Sequence, residues 1–271
     1  MAVITLTTDW HNDDYYISVM KGVLLKGNPA ATVVDISHRI QRFSTGQAAF
    51  ILKSSFNRFP AGTVHIIGVN CEANEKYPYV AVAYKDYFFI SSDNGIFGML
   101  FDEEPSDIVL LDEKVVTSFP EADVFAPAAA HLSQGKPIFE LGKKTAHLKR
   151  SINLLPAFDQ KTINGSVLYI DSYRNAITNI SKELFESQRK ERFFEILLQS
   201  NHNKITKLNS RYNETSPGEI LALFNSLGLL EIAMYMGNVA DVLNVDVNAA
   251  VRVKFMDKKE PDSPFLDNFK R

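Results

Sequence analysis

Cysteine is nearly absent from this chain of 271 residues: Cys71 stands alone, so no intrachain disulfide can form. A reducing compartment, the cytoplasm, is the expected location. No uncharged apolar run approaches the roughly 18 residues of a membrane span. The opening Met1-Ala-Val-Ile-Thr-Leu-Thr-Thr-Asp9 lacks the basic start of a signal peptide and reads as a strand. Charge of one sign is also lacking; a net charge of -3 gives no electrostatic reason to expect nucleic acid or an anionic membrane as partner. The sequence has no G-x-G-x-x-G, no Walker loop and no G-x-S-x-G, which leaves a Rossmann dinucleotide site, a P-loop and a nucleophile elbow without support. The six histidines (His11, His38, His65, His131, His147, His202) never fall at i, i+4, and no cysteine joins them at zinc-ligand spacing. What is present is ordinary: 45% hydrophobic and 23% charged residues, enough to bury a sizeable core.

The first half alternates strand and helix signals. Residues 3–7, 31–36, 63–69 and 107–111 are β-branched or apolar runs, and 80–84 with 87–91 read as a hairpin closed at Lys85-Asp86. Residues 15–25, 45–56 and 124–133 carry helical spacing, the last ended by Gly135. This predicts an α/β domain over residues 1–150, a mostly parallel sheet with flanking helices and one antiparallel hairpin. Around residues 143–158 the chain turns basic and loses its period. Beyond it, residues 165–171, 176–180, 204–208, 229–235 and 249–255 are strand-like, with a polar amphipathic helix expected over roughly 182–198. A small antiparallel β-barrel is predicted for residues 151–255, followed by a charged, poorly ordered tail at 256–271.

Three clusters can carry chemistry. In open α/β sheets ligands bind beyond the carboxyl ends of the strands. The polar turn Asp9-Trp10-His11-Asn12-Asp13-Asp14 follows the first strand, where a carboxylate can accept both hydroxyls of a ribose diol. For Asp14, capping of the next helix is an equally good reading. The second cluster, Asp171-Ser172-Tyr173-Arg174-Asn175, offers a carboxylate to an ammonium, a ring for stacking and an amide for a base edge. A hairpin turn rich in Asn and Asp explains the same residues more plainly. The third, Asn225-Ser226-Leu227-Gly228, leads into Leu230-Glu231-Ile232-Ala233 and also reads as a simple turn before a strand. His131, in an Ala-rich helix, reads as a hydrogen-bonded structural histidine.

These residues, in this order, resemble one family. The matching stretches are Leu6-Thr-Thr-Asp9 with Asp14, Met20-Lys-Gly22, Thr32-Val-Val-Asp-Ile-Ser-His38, Gly62-Thr-Val-His65, Asp93-Asn-Gly95, Phe125-Ala-Pro-Ala-Ala-Ala-His-Leu132, Ile170-Asp171 through Asn175-Ala-Ile-Thr-Asn179, and Asn225-Ser226 through Glu231-Ile-Ala233. Together they are similar to the family of S-adenosylmethionine (SAM) hydroxide adenosyltransferases, or SAM hydrolases, which also holds the SAM-dependent fluorinase and chlorinase. The resemblance implies an N-terminal α/β domain, a C-terminal β-barrel and a homotrimer with SAM between neighbouring subunits. It implies that SAM is substrate and that no cofactor is needed. Asp9 would hold the ribose diol and Phe43 line the pocket. Asp171 and Ser226 would hold the methionine end, Tyr173 pack on adenine and Asn175 pair with its edge, with Glu231 among the binding residues.

The water site departs from the family. Its hydrolases use an Asp, an Arg and a His around the attacking water; here those positions read Asn70, Lys76 and Pro120. Asn70 and Lys76 are the candidate catalytic residues, while His11, Glu72 and Glu121 lie in the aligned loops as substitutes. The fluorinase's insertion in the hairpin is missing, which disfavours halogenation. Two expectations therefore stand: a hydrolase with a rearranged water site, and a SAM- or adenosine-binding member that has lost turnover.

Overall fold

The β-branched run after the N-terminus forms β1 (Val3–Thr8), a strand of a seven-stranded sheet with a parallel neighbour on each side. In the computed structural model, which describes residues 2–11, 14–72, 76–111, 117–149, 155–199 and 204–258, the chain divides into two compact units, Met1–Asn153 and Leu154–Arg271.

In the first unit α1 (Tyr16–Gly27) leads to β2 (Thr32–Ser37) on one side of β1, and α2 (Thr45–Lys53) leads back to β3 (Val64–Gly68) on the other. The hairpin of β4 (Tyr79–Tyr84) and β5 (Tyr87–Ser92) follows, closed at the two residues between Tyr84 and Tyr87. Then come α3 (Ile96–Leu100), β6 (Asp107–Leu111), α4 (Ala126–Ser133) and β7 (Gly142–Thr145). The sheet order is β2-β1-β3-β5-β4-β6-β7. Strands β2, β1, β3 and β5 pair in parallel; β4 is antiparallel to both β5 and β6, and β7 to β6. Five of the seven strands thus run one way, the mostly parallel sheet that the alternating pattern predicts.

Pleating sends Ile4 and Leu6 of β1 to one face, where they pack with Met20 and Leu24 of α1 and with Phe125, Ala129 and Leu132 around α4. The opposite face packs Ala48, Ala49 and Leu52 of α2 and Ile96, Phe97 and Leu100 of α3 on Val80 and Val82. Each such buried Leu or Ile is worth about 1.5–3 kcal/mol. Because the chain leaves β1 first toward β2 and then returns past it to β3, the carboxyl ends of β1 and β3 form a switch point, where such sheets open a crevice.

The second unit is an eight-stranded antiparallel sheet: β8 (Ala157–Phe158), β9 (Thr162–Ile170), β10 (Ala176–Ser181), β11 (Phe193–Leu198), β12 (Lys204–Ile205), β13 (Ile220–Phe224), β14 (Leu229–Met234) and β15 (Ala250–Met256). The order β12-β11-β15-β9-β10-β14-β13 nearly closes into a barrel, and a bridge between Leu208 and Ala222 spans the seam. Phe185 of α5 (Lys182–Arg189) plugs the interior edge-to-face against Phe194, Phe224 and Phe255. A short α6 (Val239–Val242) lies between β14 and β15.

Several expectations need correction. The helix expected over 182–198 stops at Arg189, since Lys190 and Glu191 both take positive φ (44° and 66°), and Phe193–Leu198 becomes a strand paired with β15. The strand expected at 204–208 is confined to Lys204–Ile205. The helix at 124–133 begins at Ala126 and is preceded by a π-helical turn, Glu121–Phe125, in which the Ala126 N–H bonds the Glu121 carbonyl. Asp14 does not cap α1, whose N-cap is Tyr15 without a side-chain bond. Most of the 256–271 tail lies outside the described residues, as do Asn12, Asp13 and His202.

Candidate functional site

Each unit carries one polar cluster. In the first, Thr8 of β1 and Gly68 of β3 are direct partners, so Asp9-Trp10 and Val69-Asn70 leave the sheet side by side. The backbone N–H of Phe43 donates to Asp9 Oδ2 at 2.8 Å, which joins these two predicted residues and fixes the carboxylate. Phe43 holds φ at 64° and is 72% exposed, an aromatic ring standing free beside a carboxylate. His38, buried at the end of β2, binds Thr8 Oγ1 through Nδ1 at 2.7 Å and faces Asp35 through Nε2 at 3.1 Å. Trp10 stacks over His38 with centroids 6.3 Å apart and meets Tyr16 and Phe119 at 5.9 and 5.4 Å, a wall of rings along the crevice.

Glu121 is the carboxyl group that this crevice encloses. It is 7% exposed, and its side chain lies over the backbone of Gly68: a Cβ added there would stand 3.1 Å from Glu121 Cγ, 3.1 Å from Trp10 Cζ2 and 3.2 Å from Thr8 Cγ2. Glycine at position 68 is what lets the π-helical turn approach the strand ends. Burial raises the Glu121 pKa to about 7; its own backbone N–H opposes the shift, and the charge of Asp9 adds to it. Among the described residues Glu121 has no ion-pair partner, and no three His, Cys, Asp or Glu side chains converge as a metal site would require.

Asn70 takes φ 53°, and its carbonyl accepts from Asn94 Nδ2 at 2.9 Å while its side chain is exposed. The Lys76 ammonium lies 5.5 Å from the Tyr77 ring centroid, and Lys149 approaches the same ring at 3.9 Å. Lys149 and Lys76 together hold the Tyr77 phenol below its ordinary pKa. The structure thus brings Asp9 and Phe43 into contact, sends Asn70 out from the neighbouring strand β3, and engages Lys76 with Tyr77. Pro120 is buried at the start of the π-helical turn. His131 binds the Pro137 carbonyl at 3.0 Å, the structural role expected of it.

In the second unit Asp171 organises the β9–β10 turn. Its Oδ1 accepts from the backbone of Tyr173 (2.9 Å) and Asn175 (2.8 Å), and its Oδ2 from Asn175 Nδ2 (3.2 Å). The turn leaves Tyr173 76% exposed and Asn175 buried. Arg174, at φ 64°, forks onto Asp241 Oδ1 at 2.8 and 2.6 Å. Glu231 is buried in β14, where Tyr212 donates to Oε1 at 2.7 Å and Asn225 Nδ2 to Oε2 at 3.1 Å. Burial first, and then Glu231 and Asp171, push the Tyr212 phenol up and keep it protonated. Ser226 is exposed at the tip of the β13–β14 turn that Asn225 organises through Leu227 and Leu229. The sequence reading missed Tyr212, which stands in a polar loop without period. A groove of about 580 Å³ lies elsewhere, along the barrel seam around Ile205, Asn209 and Glu219, and holds none of these residues.

Comparison with known proteins decides the family. The SAM hydroxide adenosyltransferase N-terminal domain matches residues 4–142 and the C-terminal domain of the same family matches residues 165–252. The chain belongs to the SAM hydroxide adenosyltransferase family. Within the family it is 28% identical over 267 residues to the (R)-S-adenosyl-L-methionine hydrolase of Methanocaldococcus jannaschii, covering 91% of this chain and 93% of the relative. The enzyme of that name from Thermus thermophilus is 26% identical, with 93% and 100% covered. A solved structure of an uncharacterised conserved protein from Thermotoga maritima shares the fold with a TM-score of 0.83 at 24% identity, covering 94% of this chain and 100% of that one. A conserved hypothetical protein of Thermus thermophilus, 26% identical, gives 0.75 over the same shares.

Proposed function

We propose that this family member hydrolyses SAM: water attacks C5′ of the ribose, and adenosine and L-methionine leave. The observation that carries this reading is the match of both family domains, in order, to a chain whose relatives are named (R)-SAM hydrolases. The sulfonium is already an excellent leaving group, so in-line placement of water and exclusion of bulk solvent supply much of the rate. No cofactor enters this chemistry.

In this reading Asp9, anchored by the Phe43 N–H, accepts the ribose diol and the exposed Phe43 ring covers the sugar. Tyr173 packs on adenine, and Asn175, whose Nδ2 is committed to Asp171, accepts from the adenine amine through its carbonyl oxygen. Asp171 and Ser226 take the methionine end. Glu231 holds Tyr212 and Asn225 around that turn. Asn70 hydrogen-bonds the water and Lys76 supplies the positive charge of the water site. The homotrimer, with SAM held between neighbouring subunits, belongs to the same proposal. Cytoplasmic location is part of the same proposal, supported by a chain whose single cysteine, Cys71, can form no intrachain disulfide.

The test is chromatography of the protein incubated separately with the two sulfonium epimers of SAM. The expected result is adenosine and L-methionine in equal amounts, faster with the R epimer and unchanged by added fluoride or chloride. SAM bound but intact after prolonged incubation would replace this reading with that of a binding protein that has lost turnover.

A further inference from the structure

We propose that Glu121 is the base of the reaction, the group that takes the proton of the attacking water. This rests on the hydrolytic reading above and adds to it a residue at a place where the water-site positions read Asn70, Lys76 and Pro120.

The argument begins with position. Glu121 opens the π-helical turn before α4, and the bond from the Ala126 N–H to its carbonyl, one residue longer than an α-helical bond, belongs to the local widening that such turns bring. The side chain is thereby laid over Gly68, whose partner in the sheet is Thr8, the residue before Asp9. The ribose-binding carboxylate and Glu121 thus share one strand-end crevice, close enough for the charge of Asp9 to act on Glu121. C5′ is carried on the ribose that Asp9 holds, so a water aimed at C5′ from the strand ends meets Glu121.

Chemistry narrows the choice further. An Asn at position 70 can bind a water but cannot take its proton. Among the other substitutes, Glu72 and His11 are exposed. Glu121 is enclosed, among the described residues has no ion-pair partner, and faces Asp9 from β1, Tyr16 from α1 and Cys71 past β3, with Asp123 of its own turn bound to Thr117 instead. A buried carboxyl group with no counter-ion is costly to keep in a fold, which is why such groups concentrate at working sites. Its pKa near 7 is that of a base suited to neutral pH.

The step balances without any other reactant. The water oxygen forms a bond to C5′, the C5′–S bond breaks with its electron pair passing to sulfur, and the sulfonium becomes the neutral thioether of methionine. The water proton passes to the Glu121 carboxylate and then to solvent.

Single-turnover adenosine release tests this, measured for wild type and Glu121→Gln across pH from about 5 to about 9, with SAM affinity from calorimetry. The wild-type rate at limiting SAM should rise with pH and level off, with its midpoint near the free-enzyme value of about 7. The midpoint at saturating SAM should lie lower, because the bound sulfonium favours the carboxylate. Glu121→Gln should lose at least about 100-fold in rate and the whole pH limb, with SAM affinity within about threefold of wild type. A wild-type profile flat over that range overturns the proposal without any variant. Glu121→Gln turning over within about threefold of wild type overturns it and leaves the hydrolytic reading standing. Wild type that binds SAM and releases no adenosine overturns both.

Discussion

Replacing Glu121 by Gln should change stability in a way that depends on pH, quite apart from catalysis. The folded pKa of about 7 against an ordinary value of 4.5 means that between these values the native state holds a proton that the unfolded chain has lost. Stability therefore falls as pH climbs from 4.5 through 7 and is level above. At 1.36 kcal/mol per pKa unit, the ionised, buried carboxylate costs about 3 kcal/mol above neutral pH. Gln has the same shape and no proton to lose. His65 pulls the other way: burial lowers its pKa from 6.5 to about 3, so stability is lost as pH falls below 6.5. The two slopes oppose one another in the wild type, and only the difference between wild type and variant isolates Glu121. Asp93, raised by burial, is common to both proteins and drops out. Urea unfolding at about pH 5 and about pH 8.5 reads the effect. Trp10, the single tryptophan of the chain, stands against the same Gly68 backbone and reports this unit by its fluorescence. The Glu121→Gln variant should gain about 2–3 kcal/mol over wild type between the two pH values. A difference between the proteins that stays constant with pH would refute the reasoning.

Three further outcomes are expected. Asp9→Ala should weaken SAM binding by about 1.5–3 kcal/mol, because it removes a charge-assisted acceptor and also the anchor of the Phe43 N–H; equal affinity by calorimetry would remove Asp9 from the ribose site. Tyr173→Ala should weaken SAM by about 1–3 kcal/mol, the worth of one stacked base, with no change in Tm since the ring is 76% exposed; a lower Tm with unchanged affinity would make Tyr173 a structural residue. Asn70→Asp should raise turnover, since Asp keeps the left-handed backbone that Asn70 holds at φ 53° and adds a proton acceptor; a rate at or below wild type in stopped assays would count against position 70 lying at the water.

Local pattern carried much of this molecule. The β-branched run of β1 and the two-residue closure of the β4–β5 hairpin follow from period and turn chemistry alone. The place of Asp9 after the first strand was legible from the end of the β-branched run, but its bond to the Phe43 N–H, 34 residues away, was not. Where local pattern failed, tertiary pairing decided. The amphipathic period from Lys182 runs smoothly into Phe193, and only the pairing of Phe193 with Met256 and Leu198 with Val251 draws the second half into the barrel. The strand Ile220–Phe224 is not among the predicted elements, yet Asn209, Leu208 and Met234 all pair with it or beside it. The Tyr212–Glu231 bond joins a single 3-10 turn, Tyr212–Glu214, to a buried strand 19 residues away. No spacing rule announces such a contact.

The same distinction explains how a family member can move its base. A hydrolytic site needs a carboxylate facing C5′ from the strand ends, and the loop that supplies it is a matter of reach. On the turn after β3, residue 70 is exposed, so a carboxylate placed there accepts a proton without the help of burial. On the π-helical turn, Glu121 is enclosed, and enclosure raises its basicity toward neutral pH. That enclosure is also what destabilises the ionised fold by about 3 kcal/mol. Gain in proton affinity and loss of stability are one free energy measured in two experiments, since both are the difference between the charged and neutral carboxyl in the same crevice. The midpoint of the activity limb at low SAM and the pH at which Glu121→Gln stops gaining stability over wild type must therefore coincide near 7. A gap of more than about one pH unit between them would mean that the group controlling turnover is another one.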